Sequence, residues 1–221
     1  MLGSWLQRIL GFAFGKSKPP VEPAPPFDEV VEELSQYIDQ KIAGGFATRD
    51  EVVGDAVAVV GYPHYEPAVL RPFAERCADA ALAAHAAREA EWTMQTDCDR
   101  LDAAFAALEA DGVISRQNFS CCGTCGSGEI WDEMEEAANA GRPSRGYAFY
   151  HMQDTDSAAG GGGLYLNYGS REDTNEAAVA IGHEIVAHLN RHGLQTDWDG
   201  RIERRICVPL DWKRRRQQTQ A

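Results

Sequence analysis

The chain has 221 residues, 44% of them hydrophobic, and carries a formal net charge of −13. That apolar content supports a packed core and one compact domain or two small units, and it excludes a wholly disordered chain. Seven Lys and Arg lie between Arg201 and Arg216, so the remainder is more acidic still, and an acidic body repels phosphate backbones, which argues against nucleic acid as a partner.

Residues 1–18, "MLGSWLQRILGFAFGKSK", set Leu2, Trp5, Leu6, Ile9 and Leu10 at helical spacing. They lack a basic start and a small-residue cleavage site, and they are too short to span a bilayer. Peripheral membrane contact or partner docking is the functional reading, and a loosely packed terminus the bland one. "KPPVEPAPP" reads as a polyproline spacer, so residues 1–26 form an amphipathic, proline-rich tail and the folded body starts near Phe27.

Residues 27–95 read as a helical segment. Val30, Val31, Leu34, Tyr37, Ile38 and Ile42 stripe a helix over 28–43, and Gly44 and Gly45 stop it. Thr48 and Glu51 form the capping box of a second helix, and an alanine-rich third runs over 68–92. Leu101, Phe105 and Leu108 predict a fourth, ended at Gly112; a further helix is expected from Glu129 to Ala140.

From Arg145 the period changes to two. "GYAFYHM" and "LYLNYG" read as strands, with Tyr147, Phe149 and His151 on one face of the first. Thr174 to Arg191 predicts a helix, and "LQTDW" with "RICVPL" a terminal strand pair around Asp199-Gly200. The expected fold is α+β: an N-terminal helical segment, then a β-β-α-β-β antiparallel sheet over 96–212 with helices on one face. Residues 213–221 are expected to be a solvated basic tail.

Six cysteines are too few and too clustered for a disulfide framework, so a reducing, cytoplasmic setting is expected. Three of them fall in "NFSCCGTCGSGEI". Cys122-x-x-Cys125-Gly is the spacing at which a tight turn aims two thiolates at one tetrahedral ion, zinc being the usual occupant. Cys121, His151, Asp154 and Cys207 are the candidate further ligands. The same residues read as a redox dithiol, although a helix starting only at Glu129 lies too late to activate the thiols, and the order lacks a strand, motif, helix and parallel strand. Inert, half-buried thiols are the third reading.

Other patterns carry less. "HEIVAH" puts His183 and His188 five apart, the wrong spacing for a zinc protease helix, so its histidines are expected to face solvent. Gly160 to Gly163 run into a strand and not a helix, which does not suit a phosphate cradle; a turn capped by Asp154 and then a connector is expected. "DWDGRIE" lacks the twelfth-position glutamate of a calcium loop, and no nucleophile elbow, Walker motif or dinucleotide fingerprint is present.

Between Arg100 and Trp212 the chain resembles a bacterial, chiefly actinobacterial, family of domain-of-unknown-function proteins (DUF6891-like). The residues that carry this are "FSCCGTCGSGEI", "GYAFYHMQDTDSA", "GGGLYLNYG" and "RRICVPLDW". Members are similar in pairing the Cys-Cys-x-x-Cys-Gly turn with an aromatic strand that ends in His151, Gln153, Asp154 and Thr155. The resemblance implies no activity, but it makes His151 the first choice as an added ligand or proton partner. The expectation is a binding or accessory module with a structural zinc at Cys121, Cys122, Cys125 and His151, acting on an unidentified protein or small-molecule partner. A thiol redox enzyme or sensor, and an interaction protein with inert cysteines, are the alternatives.

Overall fold

The computed structural model describes residues 23–216, so the amphipathic stretch at 1–18 lies outside the described residues. Three helices come first: α1 (Phe27–Gly44), α2 (Arg49–Val59) and α3 (Pro67–Glu89). Helix α1 buries Val30, Leu34, Ile38 and Ile42, and Gly45, at φ 85°, ends it in the left-handed conformation that glycine adopts without strain. Both bonds of the Thr48–Glu51 capping box are formed at the start of α2. Helix α3 turns Leu70, Ala74, Ala78 and Ala81 inward, small enough for close approach, and the three helices share one core.

The α/β unit follows as α4 (Asp97–Ala110), β1 (Val113–Arg116), α5 (Gly123–Asn139), β2 (Gly146–Phe149), α6 (Met152–Ala159), β3 (Leu164–Ser170), α7 (Asn175–Arg191) and β4 (Ile206–Val208). Among the described residues these strands form one sheet in the order β1-β2-β3-β4. The α+β class stands, but the expected strand pattern is corrected. β1 pairs parallel with β2, from Val113 opposite Gly146 to Arg116 opposite Phe149, and α5 makes the crossover; the other two pairings are antiparallel. The expected "LQTDW" strand reduces to one bridge between Asp197 and Cys207.

Helices cover both faces of the sheet, not one. Val113, Ala148, Leu164 and Leu166 pack against Leu101, Phe105 and Leu108 of α4 and Ile181, Ile185 and Leu189 of α7. Ile114 and Phe149 point the other way, onto Ile130 and Met134 of α5. This double burial explains why β1 escapes the period-two pattern: Val113 and Ile114 are consecutive and both apolar because each face has its own helix layer.

The basic C-terminal residues are also unlike the expected solvated tail. Arg214 inserts between the two units, with its guanidinium 2.8 Å from Asp102 and 2.7 Å from Gln117 and stacked over Phe46 and Trp212. Arg215 pairs with Asp99 at 2.6 Å, and Arg216 donates to the carbonyls of Ile42 and Ala47. With Lys41 on Asp156 at 2.6 Å and Trp212 Nε1 donating to Ala43 O, they tie the helical unit to the α/β unit.

Candidate functional site

Helix α5 begins at Gly123, six residues before the expected start, and Cys122 is its N-cap with extended backbone angles. Gly123, Gly126 and Gly128 give the first turns poor intrinsic helicity, which is why the stretch reads as loop. The glycine at 126 is there for contact: a Cβ would lie 2.6 Å from Cε2 of Phe149, a ring with no exposure and no room to swing away. The first turn of α5 therefore rests directly on β2. Gly126→Ala is expected to cost about 1–3 kcal/mol, the usual penalty for overpacking, read as a lower denaturation midpoint.

Starting the helix at Gly123 puts Cys122 at its cap and Cys125 in its first turn, with Cys121 one residue ahead. The three sulfurs lie within 4.8 Å of one another, close enough to hold a metal ion. Cys121 and Cys125 are exposed and Cys122 is half-buried. No side-chain hydrogen bond closes the cap in the thiol form. The Cys125 amide, the Cys125 thiol and the Thr124 amide nevertheless face the Cys122 sulfur and hold its pKa below the ordinary thiol range. Cys125 is pushed the other way, up to about 11, because its proton is shared toward Cys121 and Cys122. The two sulfurs of the pair are thus shifted in opposite directions.

His151 stands beside this turn but outside the sulfur cluster. Its imidazole edge would be 3.5 Å from a Cβ at Gly123. It is the N-cap of α6, an element expected only as a short turn. Its Nδ1 accepts from the Asp154 amide at 3.3 Å while the Asp154 carboxylate accepts from the His151 amide at 3.0 Å. Nε2 lies 3.1 Å from Asp154 Oδ2, which also receives Arg205 Nη2 at 2.6 Å. Burial lowers the His151 pKa first of all, Asp154 opposes that, and Arg205 adds to it. His151 and Asp154 are both nearly fully buried, so their first partners are each other.

The remaining candidates are dispersed. Cys207 lies opposite Tyr165 across β3 and β4, away from the turn. Cys98 is buried, and burial raises its thiol to about 11. His188 was expected at the surface but is 6% exposed, with Nε2 3.0 Å from Asp111 on the far side of α7. The signal missed there is the one for burial: His188 falls on the same stripe as Ile181, Ile185 and Leu189.

Both objections to a thiol centre raised by the sequence are removed by this geometry. The helix starts at the cysteines, and the order is strand β1, cysteine turn, helix α5 and parallel strand β2. No helix among the described residues is long and apolar enough to cross a membrane.

No curated protein and no solved structure matches the chain. The sequence profile of a domain of unknown function, DUF6891, matches residues 28–216, which takes in the helical unit, the cysteine turn and the arginine clasp together. The chain belongs to the DUF6891 family.

Proposed function

We propose that this is a zinc-binding protein whose ion is held at the start of α5 by Cys121, Cys122 and Cys125. The observation that carries the reading is the convergence of three sulfurs within 4.8 Å on one turn. Tetrahedral zinc with sulfur ligands at about 2.3 Å needs sulfurs about 3.8 Å apart, so a small closing motion completes the set. Three thiolates around a divalent ion leave one negative charge, which the positive end of α5 favours.

The site supports a more open arrangement than the four-ligand closed zinc expected from the sequence. A fourth ligand from His151 requires the imidazole to leave Asp154, so water or a partner group takes that position more readily. Reduced, metal-free protein titrated with zinc against a competing chelator tests the reading. One equivalent bound per chain, with affinity falling as pH falls and protons compete for the thiolates, is the expected result. No uptake by folded, reduced protein contradicts it.

A second reading is favoured by the placement of Cys122 at the helix cap: a dithiol that attacks disulfides through Cys122 and resolves through Cys125. It predicts unequal alkylation in metal-free protein, measured by mass spectrometry across pH. Cys122 should react with a midpoint below that of a free thiol, and Cys125 should stay slow until the pH nears 11. Equal, slow rates at both positions would remove this reading.

A further inference from the structure

We propose that the zinc site is switched by oxidation: joining Cys122 and Cys125 in a disulfide ejects the ion. The inference rests on the zinc reading above and adds its regulation. Its basis is that two of the three converging sulfurs belong to one cap-and-first-turn pair. A cap residue and the third helical residue stand about 5 Å apart at Cα, inside the range a disulfide spans without backbone movement. Cys121 and Cys122 are adjacent and do not pair easily, and of the two pairings left to Cys125 the one with Cys122 joins residues that the helix start itself holds at disulfide spacing. That pairing leaves Cys121 as the single remaining thiolate of the set.

A disulfide is the matching oxidant, because Cys121 and Cys125 are exposed and Cys122 lies half-buried between them on an open turn at the helix start. The Cys122 thiolate attacks one sulfur of the oxidant and expels the first thiolate. The Cys125 thiolate then attacks Cys122 Sγ in the mixed disulfide and expels the second. Two electrons pass from the protein sulfurs to the oxidant, a Cys122–Cys125 bond replaces the oxidant's S–S bond, and the divalent ion leaves to solvent. Losing two of three thiolate ligands is expected to weaken zinc binding by about 10⁴-fold or more.

The test uses full-length reduced protein, loaded with one equivalent of zinc and freed of excess, then treated with glutathione disulfide. Zinc release is followed with a chromogenic chelator, and the disulfide is located by peptide mass spectrometry. The expected result is one zinc released per Cys122–Cys125 disulfide, with rebinding after reduction. Cys125→Ser is expected to stop at a mixed disulfide on Cys122 and to form no internal bond. Formation of the Cys122–Cys125 disulfide with zinc retained would overturn the switch while leaving the zinc reading intact. Failure to take up zinc at the loading step would overturn the zinc reading itself, and the switch with it.

Discussion

Replacing Cys122 with alanine is expected to lower zinc affinity by about 10²–10³-fold and to remove the fastest-alkylating thiol at the same time. Structural zinc sites supply about 10–16 kcal/mol over four ligands, so each ligand contributes about 2.5–4 kcal/mol, and each 1.4 kcal/mol is a factor of ten. Cys122 stands apart from the other two sulfurs: it alone is faced by the Thr124 and Cys125 amides that favour the thiolate. Cys121→Ala should weaken zinc comparably while leaving alkylation of Cys122 close to wild type. Cys77→Ala, in the helical core, should change neither. Chelator competition and alkylation mass spectrometry on the same preparations separate these outcomes. Unchanged zinc affinity in Cys122→Ala would mean that the ion, if bound, sits elsewhere.

Arg214→Ala is expected to be the most destabilising surface-to-core change at the C-terminus, at about 2–3 kcal/mol. Breaking a fully buried ion pair costs about 3–5 kcal/mol, but Asp102 is 46% exposed and regains water, which reduces the figure. Against that discount stand the lost stacking on Phe46 and Trp212 and the loss of one of two donors on Gln117 Oε1, which Tyr150 also uses. For a unit of this size the expected fall in Tm is about 5–10 °C. Lys213→Ala makes a sound comparison: its pair with Asp211 is exposed, and a change near zero is expected. Equal melting temperatures for Arg214→Ala and wild type would return residues 213–216 to the status of a solvated tail.

Where the chain signals structure by local chemistry, the sequence is legible. The stripe Val30, Leu34, Ile38 and Ile42 and the Thr48–Glu51 box lie where spacing and capping predict them. The cysteine turn was also recognisable as the place where chemistry gathers. What escaped was decided by tertiary contact. β1 has four residues and no alternation because both its faces are covered. The early start of α5 is hidden by glycines that the Phe149 ring requires. α6 looks like a turn until His151 and Asp154 are seen to cap each other. Charge gave the least guidance of all, since a run of four basic residues looks the same in water or clasped against Asp99, Asp102 and helix-end carbonyls.

The first three of these escapes, β1, α5 and α6, bear on the site. With α5 starting at Glu129, the cysteines would hang in a loop and a metal would have to organise them. With α5 starting at Gly123, the fold itself brings the sulfurs together without an ion, and the parallel β1-α5-β2 unit fixes the turn at the carboxyl ends of β1 and β2. His151 is drawn into the wall behind it and held there by Asp154 and Arg205.

X-ray absorption at the zinc edge, on protein purified without a metal-affinity column and loaded with one equivalent, tests the central claim most directly. Sulfur and nitrogen or oxygen ligands differ in distance, about 2.3 Å against about 2.0–2.1 Å. The predicted result is three sulfurs at the longer distance and one lighter ligand at the shorter. A shell made only of nitrogen and oxygen, or four sulfurs in one chain, would contradict it.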